Sequence, residues 1–312
     1  MPATRLQAQT ATDVVDEIWP DPARDGRAVP VRIRWPVFDG AAEAPRVILF
    51  SHGLGGTLDA GTAWGQAWAA AGFAVTHLQH PGSDLPAVRA NAASLADRSG
   101  LRAVASPQQL LERLRDVQFV LDGIVKRHAA RQSRWGEVQP DQIGMSGHSF
   151  GAHTTLGMAG QRYPGFAGIT DSRLASFIAF SPTIPASGDP RQAFARIDKP
   201  LLSITGTRDD DMVGNGATAE RRMAVFGALP VGGKAQLVLQ DADHVTFSGQ
   251  SGRALEIRPR AQVTRDLQPE HQALIARVSA DWWRATLRGD AAARERLRMP
   301  TDLGRSDTWQ QK

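Results

Sequence analysis

Three stretches of this chain carry side chains that could do covalent chemistry together. Ser149 stands in Gly147-His148-Ser149-Phe150-Gly151, at the end of an apolar run that begins at Ile143. A strand turning sharply into a helix would put this serine at the apex, where the residues two before and two after crowd each other and favour glycine. The first amides of the helix would then face anything bound at the hydroxyl, so negative charge forming there meets N–H donors and a positive helix end. The second stretch is Asp209-Asp210-Asp211, shortly after Gly206, and the third is Asp241-Ala242-Asp243-His244. Serine, acid and histidine in this chain order suit attack on an acyl carbonyl. His244 would take the Ser149 proton, and one of the aspartates would orient the imidazole and steady its positive charge.

These groups need elements to hold them. Val47-Ile48-Leu49-Phe50 is an unbroken β-prone run, as in a strand buried on both faces, and it leads into Ser51-His52-Gly53-Leu54-Gly55-Gly56. A glycine-rich loop leaving a central strand can turn a backbone amide into the neighbouring crevice; Leu54 is the expected donor, with the amide of Phe150 as the second. Further strands are expected at Val29–Trp35, Phe73–Leu78, Ala175–Phe180, Leu201–Thr205 and Ala235–Leu239. Ser106, Pro107 and Gln109 read as an N-cap, a first-turn proline and a capping-box glutamine ahead of the stripe Leu110, Leu114, Val117, Leu121 and Ile124. Other helices are expected over 60–72, from Ser149 to about Tyr163, and from Pro269 to Leu287. This alternation predicts an α/β protein, a mostly parallel sheet with helices on both faces, in one domain over 1–312. Residues 1–28 are expected to be partly loose and 288–312 to form a tail.

Composition narrows the classes of function. There are 36 Lys and Arg against 32 Asp and Glu, a formal charge of +4, and no run of five or six like charges, so nucleic-acid binding is not indicated. No apolar stretch approaches the roughly 20 residues needed to cross a bilayer, and the start lacks a signal-peptide pattern. A soluble chain is expected, with its compartment left open between the cytoplasm and an exported location. The lack of cysteine rules out disulfides, thiol catalysis and cysteine metal sites.

With Ser51-His52-Gly53-Leu54-Gly55, Gly147-His148-Ser149-Phe150-Gly151 and Asp243-His244, residues 30 to 250 resemble α/β-hydrolases of the platelet-activating-factor acetylhydrolase and predicted dienelactone-hydrolase type. The resemblance implies an α/β-hydrolase fold and carboxylic ester hydrolysis without a cofactor, with Ser149 as nucleophile, His244 as base, and Leu54 and Phe150 as oxyanion donors. In this fold the acid commonly follows a strand-end glycine after two residues, which selects Asp209, with Asp210 next and Asp211 closing an ambiguous triplet. A dienelactone hydrolase proper would present a cysteine nucleophile, which this chain lacks. Cutinase-like polyester hydrolases share the serine turn and the chain order, so lipid and polymer esters stand beside small ones as substrates. Thioesters and amides use the same machinery, and a non-catalytic binding protein is the alternative from a different class.

The remaining candidates have quieter readings. His52 and His148 read as structural hydrogen-bonding residues because neither follows the acid, and His77 and His80 lack the spacing of a metal site. Asp241 and Asp243 read as turn formers before His244, and Trp282-Trp283 as packing. Ser181 to Pro200 is too short for a helical cap. That predicts an open site for short acyl chains, walled by Leu54, Phe150 and part of the 81–106 stretch.

Overall fold

Apolar runs such as Val47–Phe50 can be buried only if helices cover both faces of the sheet they join, and the computed structural model has that layering. It describes residues 13–37, 43–93, 97–210, 214, 216–250 and 259–312. In chain order the elements are β1 (Asp13–Asp21), β2 (Arg27–Trp35), β3 (Arg46–Ser51), α1 (Thr62–Ala70), β4 (Ala74–Leu78), α2 (Leu85–Asn91), α3 (Arg98–Val104), α4 (Pro107–Ala129) and β5 (Gln139–His148). There follow α5 (Phe150–Ala159), β6 (Leu174–Phe180), α6 (Pro190–Phe194), β7 (Leu201–Arg208), α7 (Ala219–Ala228), β8 (Lys234–Asp243), α8 (Gln262–Leu287), α9 (Ala291–Arg298) and β9 (Thr308–Gln311). The strands form one nine-stranded sheet in the order β1-β2-β4-β3-β5-β6-β7-β8-β9. It is parallel from β4 to β8, with antiparallel pairing at β1–β2, β2–β4 and β8–β9.

One face of the sheet is covered by α4, α5, α6 and α7, through side chains such as Leu114, Val117, Leu156, Phe194 and Val225. The other is covered by α1, α8 and α9, through Trp64, Trp68, Ile275, Trp283 and Leu297. Each layer holds a tryptophan cluster. Trp135 packs edge-on against Trp19 at 5.8 Å and against Trp35 at 4.8 Å on the first face, while Trp68 meets Trp283 at 5.7 Å on the second. Among the described residues no helix is long and apolar enough to cross a membrane.

Several expectations are corrected. Residues 13–21, expected to be loose, form β1, which pairs with β2 from Asp13↔Trp35 to Asp21↔Arg27. The reason is Trp19, only 1% exposed, which lies under the Arg127 guanidinium at 3.6 Å and against Trp135. The first twelve residues of that segment lie outside the described ones. The tail after 288 is built into the fold: Asp290 caps α9 through Ala293 N, and β9 adds an antiparallel strand to β8. The helix after Ser149 stops at Ala159, not near Tyr163, because Gly160 adopts φ 109 and closes the last turn. Pro269 lies inside α8, not at its start; buried Thr264 ties the earlier turns down by donating to the Asp241 carbonyl at 2.7 Å. The 81–106 stretch contains α2 and α3, whose Val88, Leu101 and Val104 form a small cluster against Leu54.

Candidate functional site

The Ser149 turn is explained by its neighbours. A parallel sheet brings β3 beside β5, so the carbonyl of Ser51 lies where the chain must double back. A Cβ on Gly151 would overlap that carbonyl, and one on Gly147 would overlap the carbonyl of Gly151. Only glycine fits at either place. Ser149 itself takes φ 56 and ψ −112, a region L-residues rarely occupy, and its amide donates to the Phe180 carbonyl at 3.0 Å. It is the residue before α5, and it remains half-buried while Phe150 is buried behind it.

Of the three aspartates, Asp209 meets His244. The His244 Nδ1–H donates to Asp209 Oδ1 at 2.7 Å, and Thr205 Oγ1 donates to Oδ2 at 2.7 Å. Arg222 adds Nε at 3.1 Å from Oδ1 and 2.8 Å from the Asp209 carbonyl, and it also donates to the carbonyl of Ser181. Asp209 is fully buried. Burial alone would push its carboxyl up; the charges of Arg222 and His244 outweigh this and bring it down to about 2. Asp210 is exposed and accepts from Ala219 N at the start of α7, while Asp211 lies outside the described residues.

His244 is held by the residue preceding the serine. The His148 Nε2–H donates to the His244 carbonyl at 3.0 Å, and the two rings pack at 4.6 Å. Burial, then the neighbouring His244, keeps the His148 imidazole well below its usual range and therefore neutral. Asp243 shapes the turn behind His244 by accepting from Thr246 N at 3.1 Å and from Arg260 at 2.7 Å. Ser149 Oγ and His244 are not hydrogen-bonded to each other.

Beside Ser149 opens a cavity of about 570 Å³. Leu54, Phe150, Leu111, Tyr163 and Phe166 give it an apolar wall, and Arg222 and His153 are the basic groups in its lining. Leu54, Phe150 and the end of the 81–106 stretch, through Ala105 and Ser106, line it as expected, and the start of α4 and residues 163–166 supply the rest of the wall. Among the described residues the amides of Leu54 and Phe150 have no protein acceptor. His153 is lowered to about 4 by burial, then by Arg222 and Arg113, and stays neutral.

Behind the Leu54 loop lies a buried polar network that sequence reasoning missed. Ser51 Oγ donates to His80 Nε2 at 2.9 Å, and His80 Nδ1–H donates to Asp116 at 3.0 Å. Arg27 clasps the same carboxylate at 2.8 and 3.0 Å, and Arg24 reaches it at 2.8 Å. Burial works to raise the Asp116 carboxyl, but His80 and Arg27 hold it well below the usual range. Burial, then Arg113, lowers His80 to about 4. His52 accepts from the His80 amide on Nε2 at 3.0 Å and donates from Nδ1 to the Gly53 carbonyl at 2.5 Å. The nearby Arg113 nitrogen, 3.2 Å from that Nδ1, is therefore a contact between two donors and not a hydrogen bond. His77 donates from Nδ1 to the Ala60 carbonyl at 2.9 Å.

One signal could have revealed part of this network. Arg113 and Asp116 each precede a buried valine, Val117 and Val120, by four residues, so helical periodicity alone puts both charges on the buried face of α4. For Arg222, Thr205 and His153 no local pattern exists, because tertiary contact alone gives them their partners. No protein-family model and no curated protein sequence matches this chain.

Proposed function

We propose that the protein is a serine carboxylic-ester hydrolase of the α/β-hydrolase type, acting on short acyl esters. The observation that carries this reading is a buried aspartate bonded to His244 at 2.7 Å, with His244 packed on the residue next to a backbone-strained serine at a cavity mouth. Strain at a half-buried serine costs stability and is retained where exposure of the hydroxyl is useful.

In this mechanism Ser149 Oγ attacks the acyl carbonyl while His244 Nε2 takes its proton. Asp209 holds the imidazole by Nδ1 and steadies the imidazolium. The oxyanion lies against the amides of Leu54 and Phe150, each worth about 100- to 1000-fold in rate. His244 then gives the proton to the departing alkoxide, leaving Ser149 acylated. Water, deprotonated by His244, attacks the acyl-enzyme and releases the carboxylic acid with Ser149 restored.

A fluorophosphonate tests the reading directly. It should label the native protein once, on Ser149, and stop turnover of p-nitrophenyl butyrate. Failure of the folded protein to be labelled or to cleave any activated ester would end the reading in favour of a binding protein.

A further inference from the structure

Arg113 is wholly buried in the middle of α4, yet its contacts converge on the loop that carries one candidate oxyanion amide. It donates to the His52 carbonyl at 2.7 Å, to the Gly53 carbonyl at 3.3 Å and to Ser83 Oγ at 2.8 Å. Its guanidinium also lies over the Phe150 ring, 4.3 Å from the centroid. One side chain therefore touches both residues whose amides are the candidate donors, or the peptides that lead into them.

Peptide geometry turns those contacts into a constraint. The Gly53 carbonyl and the Leu54 N–H belong to one planar trans unit and point in opposite directions. Arg113, His52 Nδ1 and the Gly56 amide all bond to the carbonyl end. Rotating the Leu54 N–H would break all of these bonds together. Ser83 extends the brace, since its carbonyl accepts from the Gly55 amide at 2.9 Å.

The charge is also unusual. Among the described residues no carboxylate pairs directly with Arg113; Asp116 and Asp84 act on it from farther off. A buried cation that bonds only to neutral groups is costly. A guanidinium bonded to a carbonyl makes the N–H of the same peptide a stronger donor, and this matters most when negative charge develops at that N–H in a dry site.

We propose that Arg113 is a positioning residue for ester hydrolysis: it fixes and polarises the Gly53–Leu54 peptide and supports Phe150, so that both amides are set for the oxyanion before substrate arrives. This role rests on the reading of Ser149 as nucleophile. A merely structural arginine would change stability without changing the rate per intact site.

The test compares native protein with Arg113→Lys, Arg113→Met and Ser83→Ala, counting intact sites by fluorophosphonate titration. Arg113→Met should lower kcat per titrated site by roughly 100-fold with KM within about threefold. Affinity for a trifluoromethyl ketone, whose adduct carries the oxyanion, should fall in step. Arg113→Lys, which keeps charge but loses the fork of donors, should fall between the two. Ser83→Ala removes one neutral contact and should cost roughly threefold, which keeps the idea testable should the Arg113 variants not fold. Native kcat per titrated site in a folded Arg113 variant, or in Ser83→Ala where neither Arg113 variant folds, overturns this role alone. No labelling of Ser149 in the native protein overturns the ester-hydrolase reading and this role together.

Discussion

Among the described residues, two serine, histidine and aspartate sets invite comparison. In the first, Asp209 bonds to His244 and Ser149 sits at the cavity mouth. In the second, Ser51, His80 and Asp116 form an unbroken hydroxyl–imidazole–carboxylate chain at 2.9 and 3.0 Å, and none of the three is exposed to any extent. By hydrogen bonding alone the second set is the more complete. It has no room for a substrate, its serine lies at the end of a regular strand, and Arg113 also donates to the hydroxyl. Proton relay by itself is therefore a packing solution for buried polar groups. Access, a strained serine and amides without acceptors are what separate the first set from it.

Substitution of the serines is the sharpest way to break this comparison. Ser149→Ala should lower turnover by about a millionfold, with the urea midpoint unchanged. Ser51→Ala should lower turnover by less than about tenfold but cost roughly 1–3 kcal/mol of stability, since His80 Nε2 loses its partner. Comparable kinetic losses in both variants would erase the distinction.

The carboxylates should separate next. Asp209→Asn should cost about 10,000-fold in kcat, because the tautomer of His244 is no longer fixed, whereas Asp210→Asn should cost less than about tenfold. Asp116→Asn should instead destabilise by about 3 kcal/mol, as it leaves Arg24, Arg27 and His80 facing a neutral group. Paired rate and denaturation measurements on the three variants decide this.

Acid should reveal the buried set as well. His80 stays neutral in the fold down to about pH 4, against an ordinary value of 6.5 in the unfolded chain. Between these values the unfolded state binds more protons, so this contribution is full above about pH 6.5 and is lost as pH falls to 4. His153, also near 4, adds with the same sign. Asp209, lowered to about 2, contributes above the ordinary carboxylate value of 3.8 and loses that contribution as pH falls toward 2. Urea midpoints should therefore drop from pH 7 to 4, and more shallowly in His80→Gln. A flat native profile over that range would remove the argument that the second set is held by burial.

Smaller effects sharpen the first set. His148→Phe, which releases the His244 carbonyl, should lower kcat by roughly tenfold through misplacement of the imidazole. Each methylene added to a p-nitrophenyl acyl chain should raise kcat/KM by at most about fourfold, from about 0.8 kcal/mol per buried CH₂, and the gain should stop within a few carbons. An optimum at twelve carbons or more would contradict the short-acyl site.

The two sets also differ in how far they could be read from sequence. The serine turn is legible because crowding at Gly147 and Gly151 is a local constraint, whereas the sequence leaves the acid within Asp209–Asp211 and only the resemblance favours Asp209. The parallel strands are legible because burial on both faces demands unbroken apolar runs. Asp116 and Arg113 stay hidden because a charge among apolar helix positions announces burial but not its partners. Residues 13–21 look loose in the sequence because their polar surface side masks Trp19, whose partners Trp135 and Arg127 come from more than a hundred residues away.

The tryptophan clusters give this molecule optical reporters of its own. Trp135 packs with Trp19 and Trp35 on one face of the sheet, its ring plane 66° and 70° from theirs, and Trp68 and Trp283 pack on the other face at 89°. Neighbouring indoles in fixed, crossed orientations couple their transitions, so each cluster should contribute its own near-ultraviolet circular dichroism band. The first cluster watches the β1–β2 margin and the second the middle of the opposite layer. Without any dye, a denaturant ramp can therefore tell whether the margin of the sheet lets go before its centre.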